Sequence, residues 1–385
     1  MKDFGRVFAV VSVWVCSIFC PLCGLHVNTQ TVVEKKLSNN SNNNTDSVAA
    51  QFYWFREQFH RQYDTNDEFN MRFLHFREAT KRHTYRNLFS TATHSAKYGV
   101  NQFSDLSQDE FRDVYLRANT DTVPLFSGQK TEGLPAKFDW RDKAVVAPVQ
   151  NQQACGSCWA FSVVGAVQSA HAIAGSPLQQ LSVQQVVDCS YKNEGCGGGS
   201  PTRALSWLKQ THVKLVANFE YPYKAKTGIC HFFSQSHNGV SVRSFTAQNF
   251  SGQEAAMMGQ LLECGPLAAI VDAVSWQDYQ GGIIQHHCSS QHSNHAVLIV
   301  GYDTTDNLLV GVFTAAVGAV AALSHVQKCV NVGIQLGNPV VRHQERCQVE
   351  KVHLFLVIPI GFEYSWYFYL NSTKHFRFND LCYDR

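Results

Sequence analysis

The chain has 385 residues, of which 45% are hydrophobic and 16% are charged, so it is long enough for two or three packed units and is not intrinsically disordered. Its 32 basic and 30 acidic side chains give a formal net charge of +2, which offers no electrostatic reason to expect a nucleic acid or an anionic membrane as a partner. Many of the 17 histidines would titrate in an acidic compartment.

The first residues predict a secretory signal. Residues 1–6 are weakly basic, and residues 7–19 form an uncharged apolar run that is too short to span a membrane as a helix. We expect the signal to comprise residues 1–23, with cleavage near Cys23 or Gly24. Secretion implies an oxidising lumen, in which many of the 13 cysteines should be paired.

Residues 24–50 are predicted to be a polar linker. The asparagine-rich stretch at 38–45 has nothing with which to build a core, and it contains glycosylation sequons at Asn39 and Asn43. A third sequon begins at Asn249. We therefore expect glycans at these three asparagines.

The next segment, residues 51–133, begins with a helical pattern. Phenylalanines recur mostly at spacings of three and four with charges between them, which is typical of amphipathic helices. These residues are Phe52, Phe55, Phe59, Phe69, Phe73 and Phe76.

Cys158 stands at the predicted start of another helix. Ser157 is a favourable N-cap residue, the apolar residues between 161 and 172 fall mostly on one helical face, and Gly-Ser-Pro at 175–177 ends the pattern. Free backbone N–H groups and the helix dipole at this end favour an anion, which would lower the pKa of the thiol. The pattern thus predicts a nucleophilic cysteine.

Two other interpretations of Cys155 and Cys158 are a half zinc site and a thioredoxin-type redox pair. Neither is favoured, because no second Cys-x-x-Cys or His-x-x-x-His lies at zinc-finger spacing and no βαβ pattern surrounds the pair.

The segment Cys155-Gly156-Ser157-Cys158-Trp159 resembles the nucleophile motif of the papain-like cysteine proteases, and His295 follows 137 residues after Cys158, within the separation typical of that family. Upstream, residues 99–105 match the family's Gly-x-Asn-x-Phe-x-Asp propeptide motif in full. The preceding helical motif is matched imperfectly, since Ala79 and His83 occupy positions where Asn and Ile are usual. An unrelated helical domain is the alternative for this region.

Further landmarks, Tyr221-Pro222-Tyr223 and Gly281-Gly282-Ile283, extend the resemblance from about residue 51 to 305. It implies an α+β fold of two lobes, a helical lobe with Cys158 and a β-rich lobe with His295, preceded by a helical inhibitory prosegment at 51–133. The protease domain would span 134–305. Short alternating segments at 267–271 and 296–300 predict strands of the second lobe.

The resemblance also implies the chemistry of peptide-bond hydrolysis. His295 would take the proton of Cys158, and the thiolate–imidazolium pair would form an acyl-enzyme with the substrate. The side chain of Gln152 and the backbone N–H of Cys158 would donate to the developing oxyanion.

The family pattern assigns several further roles. Gly198 and Gly199 would bind the substrate backbone, with a substrate pocket walled by Pro201, Ile270 and Asn294. Disulfides would join Cys155 to Cys196 and Cys189 to Cys230. The nearby group His286, His287, Cys288 and His292 could be read as a metal cluster, but ordinary loop residues are favoured because the family has no metal there, so neither a metal nor another cofactor is expected.

Expected partners are peptide and protein substrates, the chain's own prosegment as an inhibitor, and cystatin-type inhibitors. A nucleic-acid or membrane partner is not expected, and the protein should be a monomer. The secretory pathway and lysosome are the expected location, with an extracellular location as the alternative. Acid should release the prosegment, through protonation of paired carboxylates such as Asp105.

After Thr305 the resemblance stops. The family's Asn-Ser-Trp-Gly segment, whose asparagine orients the histidine, is not found, and the sequence of the tail, residues 306–385, predicts that the closing strands of the second lobe are missing as well. A foreign exon, retained intron or gene-model error is favoured over a membrane anchor or a divergent functional tail. The functional alternatives are accordingly an impaired peptidase and an inactive homologue that binds partners or inhibitors.

Overall fold

The computed structural model describes residues 44–90, 95–128, 132–231, 238–250, 253–284, 293–305, 310–314, 324–326, 330–336 and 354–356. The predicted signal, the sequons at Asn39 and Asn43, and the histidine-rich group at 286–292 lie outside the described residues. Within those ranges, no helix is both long and apolar enough to cross a membrane.

The α-helices of the described ranges are α1 (Asn44–Gln58), α2 (Asn66–Asn87), α3 (Gln108–Tyr115), α4 (Cys158–Ile173), α5 (Val183–Cys189), α6 (Pro201–Thr211) and α7 (Glu254–Cys264). The strands are β1 (Lys97–Tyr98), β2 (Lys137–Asp139), β3 (Lys214–Leu215), β4 (Val240–Ser241), β5 (Phe245–Gln248), β6 (Leu267–Val271), β7 (Tyr279–Gly281), β8 (Ile283–Ile284), β9 (His295–Asp303), β10 (Val310–Thr314), β11 (Ser324–Val326), β12 (Val330–Leu336) and β13 (Leu354–Leu356).

The amphipathic helices predicted after residue 51 are confirmed as α1 and α2, which share a small aromatic core. Phe52, Phe55 and Phe76 are almost fully buried in it, and the other phenylalanines of the pattern pack around them. Helix α2 begins after Thr65, whose side chain accepts a hydrogen bond from the backbone N–H of Glu68. Helix α1 already begins at Asn44, inside the segment predicted to be a polar linker.

Helix α4 begins at Cys158 as predicted and ends before Gly175, whose φ of +92° suits a glycine. Ser157 occupies the N-cap position, as predicted, but without a side-chain capping bond, because its Oγ instead lies 2.6 Å from the hydroxyl of Tyr223. The first turn of α4 therefore keeps free N–H groups around the cysteine.

The sheet of the second lobe is centred on β6 and β9, which pair antiparallel from Leu267 opposite Ile299 to Val271 opposite His295. Alternate residues of both strands face two different cores. One face packs on the helical lobe, where Leu298 approaches α4 so closely that a Cβ at Gly165 would lie 3.1 Å from it. The other face packs beneath α7. The β-rich second lobe predicted from the sequence is thus confirmed.

The prediction that the closing strands are lacking after Thr305 is wrong. Strand β10 pairs antiparallel with β9, and β12 pairs with both β5 and β6. These tail segments are rich in valine and isoleucine, which suit a pleated, half-buried surface even where the sequence does not match the family pattern. Strand β9 therefore has partners on both sides.

Candidate active site

Cys158, the first residue of α4, lies where the helical lobe meets the start of β9. Its side chain is fully buried, and the backbone N–H groups of Ala296, Arg117 and Trp159 are directed at the sulfur. Cys158 is a free thiol, since Cys155 is bonded to Cys196. That disulfide contradicts the redox-pair interpretation.

The second disulfide of the described residues joins Cys189 to Cys230. It ties the end of α5 to the loop before β4, in the same lobe as the nucleophile. Both disulfides join the cysteines that the family pattern implies, and both enclose 41 residues of sequence separation. Loops of this size contribute about 3–4 kcal/mol each to stability in the chain-entropy picture.

His295 begins β9 and is fully buried. Its ring packs edge-on against Trp276 at a centroid separation of 5.7 Å. Among the described residues, neither ring nitrogen has a partner in good hydrogen-bond geometry, although the backbone of Tyr115 lies close enough to influence the charge of the ring. No described side chain therefore performs the orienting role that the family assigns to an asparagine.

The protonation states of this pair are opposite to those predicted from the sequence. Burial raises the pKa of the Cys158 thiol to about 11, although the surrounding backbone N–H groups act in the other direction. Burial also lowers the pKa of His295 to about 3, against a smaller opposing contribution from the backbone of Tyr115. Both groups are therefore neutral at physiological pH, because desolvation of the closed site outweighs the helix N-terminus.

The site is closed by a segment that we call the strap, residues 115–126, which leaves the end of α3. The carbonyl of Tyr115 accepts a hydrogen bond from Nε2 of Gln152 at 3.2 Å, and the same amide donates to the carbonyl of Cys155 at 2.8 Å. Gln152 is fully buried. The donor predicted to stabilise an oxyanion is thus held against a carbonyl oxygen of the strap.

Further along, the strap runs beside the glycine-rich loop as an extra parallel strand. Gly199 donates to the carbonyl of Arg117 at 3.0 Å and accepts from Asn119 at 2.8 Å. On the opposite wall, the carbonyl of Asn294 accepts from Ala118 at 3.0 Å. The chain crosses the cleft from the histidine side to this glycine-rich wall and fills it.

Gly198 shows why this wall needs glycine. Its φ is +125°, a region that residues with a side chain rarely adopt, and an added Cβ would lie 2.6 Å from the carbonyl oxygen of Arg117. A side chain here would push the strap away from the loop.

The other predicted pocket residues are placed less directly. Pro201 is the buried first residue of α6, and Ile270 is a buried residue of β6 in the same core as Cys158. The amide of Asn294 donates to Asp272 at 2.8 Å and accepts from the backbone N–H of Ala273 at 3.0 Å. It therefore meets the cleft through its backbone and fixes its own loop with its side chain.

The glycan predicted at Asn249 does not fit this packing. Asn249 is 7% exposed, and its backbone pairs with Pro124 and Phe126 of the strap. A glycan requires a solvent-facing asparagine, and the strap covers this one. The three-residue sequon alone does not reveal such burial.

Sequence reasoning missed Asp278, which anchors α2 to the protease. Its carboxylate is fully buried and lies 3.0 Å from Nη2 of Arg82 and 3.1 Å from Nε2 of His83, and it also receives Nη1 of Arg86. Burial alone would raise the pKa of Asp278, but hydrogen bonds from His83 and Arg82 and the two arginine charges hold it below its usual value. A sequence signal for this anchor is the group of basic side chains Arg82, His83 and Arg86, which fall on one face of a predicted helix.

Gln277, next to Asp278, holds the turn of the propeptide motif. Its Nε2 donates to the carbonyl of Leu106 at 2.9 Å and to that of Phe103 at 3.3 Å. Phe103 is 2% exposed and stacks near Phe111 and Tyr115. The motif thus positions α3, and through it the strap.

The role predicted for Asp105 in acid release is wrong in sign. Asp105 accepts from the hydroxyl of Tyr63 at 3.0 Å and lies 3.3 Å from Nε of Arg61, but burial raises its pKa despite these partners. A carboxyl whose pKa is raised by docking makes docking more favourable as the pH falls through that value. A release driven by acid would need carboxylates with lowered pKa, among which Asp278 is the most buried.

Two family models match the chain. The model described as papain family cysteine protease matches residues 134–313, and that of the cathepsin propeptide inhibitor domain (I29) matches residues 52–111. The first match extends into β10, to residue 313, beyond the point where the motif resemblance stops.

Relatives agree with both matches. Cathepsin O from Homo sapiens is 57% identical over 236 residues, which cover 60% of this chain and 74% of that protein. Cysteine proteinase 1 from Dictyostelium discoideum is 34% identical over 278 residues, covering 67% of this chain and 80% of that protein. The structure of digestive procathepsin L 3 from Tenebrio molitor larval midgut superposes with a TM-score of 0.63 at 27% identity, covering 73% of this chain and 93% of the other. The chain therefore belongs to the papain family of cysteine proteases and carries that family's propeptide inhibitor domain.

Proposed function

We propose that the structure is the inhibited zymogen of a peptidase in which Cys158 is the nucleophile, His295 the general base and acid, and Gln152 the oxyanion donor. The observation that carries this proposal is the contact between Nε2 of Gln152 and the carbonyl of Tyr115. A peptide carbonyl already lies against the donor amide beside the buried thiol. A substrate carbonyl in its place would be polarised in the same way.

Departure of the strap changes the electrostatics of the pair. Water enters, the desolvation that keeps both groups neutral is relieved, and the free N–H groups at the start of α4 then favour the thiolate. The proton moves from Sγ of Cys158 to the imidazole of His295. The thiolate attacks the substrate carbonyl, the imidazolium protonates the leaving amine, and water activated by the imidazole releases the acid product.

Turnover should be limited by the orientation of His295. Support for this comes from the two ring nitrogens without partners and from the missing Asn-Ser-Trp segment. In a serine triad, replacing the aspartate that orients the histidine lowers turnover by about 10⁴-fold. We expect a smaller loss here, because the thiolate–imidazolium pair holds the ring by charge and the edge-on contact with Trp276 restricts its rotation.

The remaining parts of the proposal concern processing and location. A signal at 1–23, a polar linker from 24, a prosegment ending at 133 and a protease domain beginning at Leu134 describe a monomeric enzyme of the secretory pathway that works in the lysosome. The emptied cleft would admit peptide and protein substrates, and cystatin-type inhibitors. Its covering by residues that precede 134 supports this order of events.

The test is a peptidase assay on the full chain before and after processing near Leu134, with Cys158→Ala as the control. A thiol-directed epoxide at pH near 6 should label Cys158 only after processing, and faster than the free thiol of Cys264. Labelling at equal rates would contradict the activated thiolate.

An inactive homologue is the second candidate, favoured by the unpartnered His295. It predicts a processed chain that binds substrate-like peptides in the cleft but neither cleaves them nor reacts with the epoxide faster than an ordinary thiol.

A further inference from the structure

The strap carries one carboxylate that the protease domain binds with dedicated groups. Oδ2 of Asp121 accepts from the hydroxyl of Ser200 at 2.6 Å and from the hydroxyl of Thr202. Its Oδ1 accepts from Nη2 and Nε of Arg203 at 2.9 and 3.2 Å. Burial alone would raise the pKa of Asp121, but these hydroxyl bonds and the guanidinium lower it, so the group is bound as an anion.

The groups that bind this anion are side chains of the protease domain. They lie at the start of α6, where the helix dipole also favours negative charge. The site differs from a bare helix terminus because an arginine and two hydroxyls converge on one carboxylate. One of these hydroxyls belongs to Ser200, which is only 1% exposed. Removal of the strap leaves all three groups in the mature domain, with no carboxylate of the strap to satisfy them.

Its position along the cleft can be counted on the strap. Arg117 lies at the nucleophile, where its backbone N–H is directed at Cys158, and the residues around Ala118 pair with Gly199. Asp121 lies four positions beyond Arg117, and each extended residue spans about 3.3 Å. A substrate that runs along the same wall in the direction opposite to the strap, as the resemblance implies for a prosegment that is not cut, would present its fourth or fifth residue from the cut bond, on the N-terminal side, to this site.

We propose that Ser200, Thr202 and Arg203 form an anion-binding subsite of the mature enzyme, which selects substrates with Asp or Glu four or five residues before the cleaved bond. The proposal rests on the peptidase function proposed above. In the zymogen, Asp121 occupies the subsite as an internal substitute for that substrate side chain.

The test uses peptides that differ at one position only, with Asp or Glu against Asn or Gln at the fourth and then at the fifth residue before the cut. Charge-assisted hydrogen bonds at a partly exposed site should give about a tenfold higher kcat/KM for the acidic member of a pair at one of the two positions. Arg203→Gln should bring this ratio close to one. The matched control Lys209→Gln removes a positive charge from the same helix, outside the subsite, and should keep the ratio.

A second measurement separates this proposal from the proposed function. A synthetic peptide of residues 112–126, and its Asp121→Asn version, can be bound to the processed chain carrying Cys158→Ser. The parent peptide should bind about tenfold more tightly, and Arg203→Gln should remove the difference. If the enzyme cleaves no peptide but this binding difference holds, the peptidase function fails and the anion site stands. Equal binding of both peptides, or equal cleavage of acidic and neutral substrates, overturns the subsite.

Discussion

The two parts of the prosegment are attached to the protease by different forces. Helix α2 is attached through charged side chains, with Arg82, His83 and Arg86 around the buried carboxylate of Asp278. The strap crosses the nucleophile mainly through backbone hydrogen bonds, to Gly199 and Asn294, and through the carbonyl of Tyr115. The helical part therefore carries the most buried charged contact of the inhibitor, and the strap, whose own charged contact is that of Asp121, carries the blockage.

This difference has a physical reason. A backbone in the cleft can be replaced by any other peptide backbone. By contrast, the buried carboxylate of Asp278, which binds two arginines and a histidine of α2, cannot be matched by an arbitrary peptide, since each unpaired charge is costly. The following four changes test this division of roles, from the largest expected effect to the smallest.

Asp278→Ala should have the largest effect on the attachment of α2. It leaves Arg86, 8% exposed, buried without its carboxylate, which costs about 3–5 kcal/mol of docking free energy. Inhibition of the processed enzyme by added prosegment should weaken by at least about a hundredfold. Asp109→Ala, which removes an exposed partner of Arg112 instead, is the matched control and should change little. Similar inhibition constants for both variants would place the anchor elsewhere.

Phe103→Ala should have a slightly smaller effect on the turn that positions α3. Its ring lies 5.1 Å from Phe111 and 5.0 Å from Tyr115, and these rings can partly close the cavity. We expect a loss of about 3 kcal/mol, at the lower end of the range for Phe→Ala in a core. The melting temperature of the zymogen and its residual peptidase activity measure this loss. An unchanged melting temperature would show that the motif match is accidental.

Asp278 and Asp105 should affect the pH dependence of inhibition in opposite directions. The lowered pKa of Asp278 makes its contribution complete above its unfolded pKa of about 4, and that contribution is lost as the pH falls further through its folded pKa. Asp105, whose pKa is raised, acts in the opposite sense and strengthens docking as it is protonated.

Inhibition by added prosegment, followed from pH 6 to pH 3, measures both groups. Asp278→Asn should flatten the loss of inhibition below about pH 4, while Asp105→Asn should make that loss steeper, each by up to about tenfold per pH unit for one proton. A flatter curve for Asp105→Asn would contradict the assignment of the two carboxyls.

Gly198→Ala should have the smallest effect, confined to the strap. The strained φ of +125° and the approach of Cβ to Arg117 cost about 1–3 kcal/mol, part of which the strap can relieve by shifting. Inhibition should weaken by about tenfold. Hydrogen exchange of the α2 backbone amides should not change, because the contacts of Asp278 with this helix remain. Loss of protection in α2 would show that the two attachments are coupled.

Much of the helical architecture follows from local sequence. The phenylalanine spacing predicts α1 and α2, and Ser182 accepts from the backbone N–H of Gln185 at 2.9 Å, as its capping pattern predicts. Only half of that capping box forms, because the Gln185 side chain bonds the backbone of Lys214 and Val216 instead. The tail strands could not be predicted, because β10 and β12 gain their identity from pairing with β9 and β6, which no local pattern encodes.

The residues of the site could be predicted from the sequence, but their protonation states could not. The motif around Cys158 and the separation of His295 pick out two residues that the fold brings to adjoining elements. Their shifted pKa values could not be foreseen, because they depend on burial by the strap. Asp278 and Asp121 were missed for a related reason, since each is one half of a pair whose partners lie far away in sequence.

The chain connection between the strap and β2 has one more consequence. While this connection is intact, it keeps the prosegment beside the cleft at an effective concentration of about the millimolar range, as a short link between two binding modules does. Cutting near Leu134 turns the same contacts into an association between two molecules, whose extent depends on their total concentration. At a high concentration of both molecules, processing alone therefore leaves the enzyme inhibited. Dilution then dissociates the prosegment and completes the activation.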